Sequence, residues 1–296
     1  MSFVRAATAF ARLGPIARAA DLRARGVTKR EIARSVSTGE IRRVRYGVYA
    51  TIDADDSWVH AAQHGGTLRC VTAGRMLGLW ILEDTDDLHL WFGHAGNPRS
   101  CERHPCEPRP HWDDGESTLG KLPPVRNVLL QIALCAGEET FFCALESALR
   151  RSMLRVGDLP WLAARVPRAL RWLLGFARAD ADSGLESLIR LRLHRLGISV
   201  RTQVQVAGVG EVDIVIGDRL IIEADGKQNH DDGAGDPSQP LSSLRHKDLL
   251  RDARAAARGF ETLRFDYAMI VHDWPTVEAA ILAKIAAGAH LFPAAC

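Results

Sequence analysis

Val212-Asp213-Ile214-Val215-Ile216-Gly217-Asp218-Arg219-Leu220-Ile221-Ile222-Glu223-Ala224-Asp225-Gly226-Lys227 is the stretch on which the reading of this chain turns. Two short apolar runs flank a turn and carry Asp213, Glu223 and Asp225, with Lys227 just beyond. Runs of Val and Ile this short, bounded by glycine, predict two β-strands joined as a hairpin. Carboxylates on such strands are costly to desolvate, and a shared divalent cation is one thing that makes their clustering tolerable. Turn length decides whether they can share one. A turn of Gly217-Asp218 pairs Asp213 with Ile222 and leaves Asp213 and Glu223 on opposite faces. A turn of Gly217-Asp218-Arg219, or a bulge, pairs Asp213 with Glu223 and aligns Asp225 beside them. Opposed carboxylates without a cation repel. A metal site therefore requires the longer turn or a bulge, and the plainer alternative is surface charge on an edge hairpin.

Upstream, Ser183-Gly184-Leu185-Glu186 opens a predicted helix with Leu185, Leu188, Ile189, Leu193 and Leu196 on one face, closed by Gly197. Glu186 fits a capping box with Ser183, and from the first turn it can also reach a neighbouring metal site. Val200 to Val206 alternates as a strand, and Gly208 to Gly210 turns the chain into the acidic hairpin. Downstream, Gln228 to Ser243 is polar and rich in Gly, Asp and Pro, hence loop. Leu244 to Ala257 then forms a helix whose Arg245, Lys247, Arg251 and Arg254 suit contact with a phosphate backbone; equally, Leu244, Leu249 and Leu250 suit packing on the sheet. Glu261 to Phe265 is a strand, and Pro275 to Ala287 a closing helix.

Asp213, Glu223 and Asp225 are of the type that holds Mg²⁺ or Mn²⁺ with several waters retained. Lys227 would orient the attacking water or stabilise the transition state, and His230 would give a proton to the leaving oxygen. No phosphate-cradling Gly-rich loop and no nucleophile-elbow serine offers a competing chemistry.

The net charge of this 296-residue chain is only +2, but its distribution is uneven. Residues 1–50 carry eleven basic side chains against three acidic ones, which suits a nucleic-acid partner. A helix is predicted from Ala6 to Arg25, stopped by Gly26. Thr28, with Glu31 three positions on, caps a second helix through Ser35. A basic hairpin follows around Tyr46-Gly47. Helix, turn, helix and hairpin is the layout of a winged helix-turn-helix, in which Lys29, Arg30 and Arg34 would face DNA and Arg42, Arg43 and Arg45 would sit on the wing. The alternative is a small helical subdomain docked on the rest of the chain.

Residues 55–180 are mainly helical by period, with a strand-like patch at Leu88 to Phe92, and Gly93 to Gly120 reads as loop with room for one edge strand. His94, Cys101, His104, Cys106 and His111 in that segment are zinc-compatible types, but their spacing matches no tight two-plus-two pattern and reads as scattered histidines and free thiols. The six cysteines show no repeated close pairing, as in a reducing cytoplasm. No apolar run approaches a membrane span, and the arginine-interrupted N-terminus lacks the apolar core of a secretory signal.

Val27-Thr28-Lys29-Arg30, Arg43-Val44-Arg45-Tyr46-Gly47-Val48-Tyr49, Ala73-Gly74-Arg75-Met76-Leu77-Gly78-Leu79 and Leu122-Pro123-Pro124-Val125 resemble the N-terminal part of actinobacterial proteins with an abortive-infection antitoxin-like region. From Ser183 to Ala287 the chain resembles the very-short-patch-repair-like branch of the PD-(D/E)XK nucleases. That likeness rests on Gly184-Leu185-Glu186-Ser187, Glu211-Val212-Asp213, Glu223-Ala224-Asp225-Gly226, His230, Arg251-Asp252 and Gly259-Phe260-Glu261-Thr262-Leu263-Arg264-Phe265. It implies an α/β/α restriction-endonuclease-like core with a mixed sheet and a metal-dependent phosphodiesterase site. Two departures stand out: Asp225 occupies the place of the superfamily lysine, so Lys227 or His230 must substitute, and the 228–243 connection is long.

The expected organisation is α/β: a winged helix at 1–52, a mainly helical α+β region at 53–178 and the nuclease-like domain at 179–296. The expected function is cytoplasmic Mg²⁺-dependent (or Mn²⁺-dependent) cleavage of DNA, in phage defence or DNA repair. RNA stays open as a substrate, as does a homodimer or a protein partner; no membrane is involved. The alternative is an antitoxin-like DNA-binding regulator whose nuclease fold is degenerate.

Overall fold

The computed structural model describes residues 5–82, 87–93, 96–101, 106–112, 118–225 and 241–292, with backbone alone for 241–248. It is a mixed α/β structure with three sheets. The chain separates into two compact units: 1–137 with 154–171, and 138–153 with 172–296.

The first unit opens with α1 (Ala6–Leu13), β1 (Ile16–Arg18), α2 (Ala19–Ala24), α3 (Lys29–Ser37), β2 (Ile41–Arg45) and β3 (Val48–Thr51). The single helix expected from Ala6 to Arg25 is thus interrupted by a strand. Gly14 has φ 95°, and a Cβ there would lie 1.9 Å from the Gly120 carbonyl oxygen, so only glycine fits. Pro15 then denies the helix its next N–H donor. The second expected helix is present, with Thr28 Oγ1 accepting from the Glu31 N–H at 3.1 Å. The expected hairpin is present too: β2 and β3 pair antiparallel, with an irregularity between Arg43 and Arg45, and β1 joins on the other side of β3. Phe10, Leu13, Leu22, Val27, Ile32 and Ile41 form the apolar core beneath them.

Next come α4 (Asp56–His64), β4 (Thr67–Leu68), α5 (Cys70–Met76), β5 (His89–Trp91), β6 (Arg109–His111) and α6 (Val125–Cys135). The strands form a small sheet in the order β4-β5-β6, with β5 and β6 parallel. Beyond α7 (Gly137–Arg150), the chain returns to this unit for α8 (Asp158–Ala163) and a 3₁₀ turn at Arg168–Leu170.

The second unit contains nearly all of α7, then α9 (Trp172–Phe176), α10 (Gly184–Arg195), β7 (Val200–Val206), β8 (Gly210–Ile216), β9 (Leu220–Asp225), α11 (Leu241–Ala257), β10 (Glu261–Asp266), α12 (Tyr267–His272) and α13 (Trp274–Ala286). Strand order is β10-β9-β8-β7; β10 runs parallel to β9, and the other pairs are antiparallel. Helix α10 contacts β7 and β8, and α11 contacts β10. Ala255 of α11 joins Val215 and Ile221 in an apolar cluster on the sheet.

The boundary expected at 178/179 cuts through this unit, because α10 is buried well beyond one apolar stripe. Its Arg190 forms an ion pair with Glu146 of α7, their side chains only 4% and 1% exposed. The Arg190 guanidinium also stands 5.2 Å from the Phe142 ring and 4.2 Å from the Phe176 ring. Helices α7 and α9 therefore belong to the sheet unit. Leu196, expected on the buried face of α10, is 40% exposed. Among the described residues, no helix is long and apolar enough to cross a membrane.

Candidate active site

The register of the acidic hairpin is Ile216↔Leu220, Val215↔Ile221 and Ile214↔Ile222, so the turn is Gly217-Asp218-Arg219. Gly217 has φ 58°, and the Asp218 N–H donates to the His290 carbonyl at 2.7 Å, pinning the turn to the segment that follows α13. The paired residues end at Ile214 and Ile222; the same register continued one step aligns Asp213 with Glu223. The longer turn that a shared site demands is the one that forms.

Strand ladder pairing stops there, and the Asp213 carboxylate itself accepts from the Ala224 N–H at 2.9 Å. On the other side of β8, the pairs Thr202↔Ile214 and Val204↔Val212 set Gln203 opposite Asp213. Gln203 has φ 50°, a left-handed conformation unusual for a residue in a strand. Its side-chain amide donates to Glu186 at 2.6 Å. The Glu186 carboxylate also accepts from the Asp182 N–H at 3.0 Å, while Ser183 Oγ accepts from the Glu186 N–H at 3.3 Å. The capping box is thus half formed: the glutamate reaches past Ser183 toward the sheet.

Electrostatically these acids act on one another. Burial, then the Asp213 charge, pushes the Glu186 carboxyl up to about 7, against hydrogen bonds that favour its ionised form. Burial and Asp213 likewise raise Glu223 to about 7, opposed by Arg251 and Arg264. Asp213 is raised as well, by burial first, with the Ala224 N–H and Arg251 working the other way. Arg251 of α11 reaches Glu223 Oε1 at 3.0 Å and also donates to the Glu211 carbonyl. Asp225 is more open, with 64% of its side chain exposed and Arg264 at 3.7 Å; Arg264 also bonds Asp252 at 2.9 Å.

The structure thus brings Glu186, Asp213 and Glu223 into one electrostatic neighbourhood and leaves Asp225 at its rim. Lys227 and His230 lie outside the described residues, as do the side chains of Arg245 and Lys247. Arg251, expected on a phosphate backbone, is engaged with Glu223. Gln203 and Arg264 went unassigned in sequence: Gln203 is marked only by the β7–β8 register, and Arg264 by a parallel pairing with Glu223 that no local pattern encodes. Among the described residues, the groups of three or more metal-ligating side chains with donor atoms within 4.8 Å of one another consist of Cys and His, and the acids form no such group. Magnesium held through one or two carboxylates and its own waters is compatible with that looser spacing.

In the N-terminal unit, Lys29, Arg30 and Arg43 are exposed, and Arg43 lies 5.4 Å from the ring of Tyr46. Arg34 is paired with Glu31 at 2.8 Å. Two of the three hairpin arginines turn inward: Arg42 donates to the Ala54 carbonyl at 2.9 Å and Arg45 to the Ala62 carbonyl at 2.7 Å. Beside them opens a cleft of about 780 Å³ lined by Arg18, Arg45, Tyr46 and Arg99. Burial lowers the pKa of Arg45, and the charges of Arg99 and Arg18 add to that effect.

No family model matches this chain, and no curated protein matches it.

Proposed function

We propose that the chain is a metal-dependent endonuclease that hydrolyses phosphodiester bonds of DNA at the acids of its second unit. In this reading that unit is a restriction-endonuclease-like α/β/α domain of the very-short-patch-repair-like kind, and the first fifty or so residues are a winged helix that holds DNA by its backbone. The observation that supports it is the three-residue turn, whose register continued one step aligns Asp213 with Glu223, the Asp213 charge acting on both Glu186 and Glu223.

The residues fit a hard divalent cation. All are oxygen donors, and their buried charges oppose one another in a way that a cation relieves. Asp213 and Glu223 would hold it, with Asp225 completing the set from the rim. Bound Mg²⁺ or Mn²⁺ would supply Lewis acidity toward a phosphate oxygen and lower the pKa of water. Glu186, poised near neutrality and held by Gln203 and Asp182, is suited to take the proton of the attacking water. Arg251 keeps Glu223 neutralised and offers further N–H donors to a phosphate. Lys227 would stabilise the transition state and His230 protonate the leaving oxygen.

A second reading is a DNA-binding regulator with a degenerate nuclease fold. One contact favours it: Arg251 already occupies an oxygen of Glu223. The two readings part on supercoiled, linear, single-stranded and RNA substrates with Mg²⁺ or Mn²⁺. The nuclease cleaves, and Asp213→Asn and Glu223→Gln lose about a hundredfold or more in rate, as expected for losing several kcal/mol of transition-state stabilisation. Retarded DNA mobility with no cleavage in either metal would establish the regulator instead.

A further inference from the structure

We propose that the first unit binds a structural zinc ion between Cys70, His89, His111 and Cys135, a site independent of the acids in the second unit. The donor atoms of these four side chains all lie within 4.8 Å of one another. His89 Nδ1 stands 3.0 Å from His111 Nε2 and 3.8 Å from Cys135 Sγ. In a zinc tetrahedron with bonds of about 2.0–2.3 Å, neighbouring donors stand about 3.3–3.8 Å apart, so small shifts close the cluster on an ion. Two thiols and two imidazoles select zinc over magnesium or calcium, which prefer oxygen. A hydrogen bond between the two imidazoles accounts for the 3.0 Å contact alone. It gives no reason for two cysteines to meet there.

The surroundings hold the ligands in place. Cys70 has φ 51°, a strained conformation for a non-glycine residue, and its N–H donates to Gln131 Oε1 at 3.1 Å. Gln131 lies one helical turn before Cys135 on α6, so one helix face fixes the Cys70 backbone and supplies the second thiol. The backbone N–H of His89 donates to Thr72 Oγ1 at 2.9 Å, fixing the start of β5. The four ligands come from α5, β5, β6 and α6. Strands β4, β5 and β6 are only two or three residues long, too short to hold an independent sheet by pairing alone. An ion at this point would fasten β6, the exposed edge strand, to β5 and α6.

A second group, His64, Cys101 and Cys106, offers three ligand types and serves as the control. The test is the metal content of the full-length protein by mass spectrometry after exhaustive dialysis, together with the absorption spectrum after loading with Co²⁺. The wild-type chain should retain stoichiometric zinc, and its cobalt form should show the intense visible bands of a tetrahedral site with thiolate charge transfer. His111→Ala and Cys135→Ser should each hold one equivalent less zinc than wild type, and the double variant His64→Ala/Cys106→Ser should keep that equivalent. Cys135→His, which preserves a four-ligand set, should retain the metal while the charge-transfer band falls to about half, one thiolate of two being lost. Wild-type protein without stoichiometric zinc or a tetrahedral cobalt spectrum would overturn the proposal. So would a content unchanged by both His111→Ala and Cys135→Ser.

Discussion

In the proposed nuclease reading, Asp213 is the residue on which the acidic site of the second unit turns. Its charge raises both Glu186 and Glu223, it accepts the Ala224 N–H, and Gln203 stands across the strand from it. Asp213→Asn keeps the shape and an oxygen for Ala224 but removes the repulsion. The expected outcome is a higher melting temperature in metal-free buffer together with loss of cleavage, read by calorimetry and by a plasmid assay. A residue kept only for stability would show the reverse. The pH dependence follows from the same groups. Glu186 and Glu223 hold their protons up to about 7 when folded, against an ordinary 4.5. The folded state therefore binds more protons than the unfolded chain, and the stability these groups contribute is present below 4.5 and lost as pH rises through about 7. Because a cation competes with those protons, added Mg²⁺ should raise the melting temperature more above pH 7 than below it. Equal shifts on both sides would argue that the cation binds elsewhere.

The elements divide into those legible in sequence and those set by distant contacts. The Thr28 N-cap, the basic hairpin, α10 and the strands of the acidic hairpin all follow from local pattern, although Glu31 turns to Arg34 instead of closing the capping box. The break at Gly14-Pro15 carries a local signal, a Gly-Pro pair, that the apolar period running through it outweighs; the close approach of Gly120, more than a hundred residues away, is what restricts position 14 to glycine. The turn length was readable only as two alternatives, because the contact that settles it comes from His290. A Cβ at Gly217 would lie 2.4 Å from the His290 carbonyl oxygen, in addition to the cost of its positive φ. Gly217→Ala is therefore expected to destabilise by about 1–3 kcal/mol in denaturant titration and to depress cleavage by disturbing the register. The Cys/His cluster was illegible for a related reason. Its ligands are spread over four elements from Cys70 to Cys135, so no spacing rule could join them, and the zinc-compatible run read from the loop shares only His111 with it. The Arg190–Glu146 pair was equally hidden. Arg190→Met leaves a buried carboxylate without its cation and should cost about 3–5 kcal/mol in the same titration.

At the scale of the whole molecule, a chain of net charge +2 keeps its basic excess in the first fifty residues and its clustered acids in the second unit. In the proposed reading, the basic region holds the nucleic acid and the acids cut it. Lys29, Arg30 and Arg43 are exposed, Arg43 beside the Tyr46 ring, whereas Arg42 and Arg45 are held by carbonyls of their own unit. Lys29→Ala with Arg30→Ala should weaken DNA binding alike across sequences and lower the slope of log affinity against log salt by about one per lost contact. Arg42→Ala should instead act on thermal stability and leave that slope unchanged.

Manganese titration followed by electron paramagnetic resonance addresses the shared acid site without requiring the right substrate. Wild-type protein should bind Mn²⁺ at a site that Mg²⁺ displaces, and both Asp213→Asn and Glu223→Gln should lose it while remaining folded. Binding that survives both substitutions unchanged would contradict a cation held between these two strands.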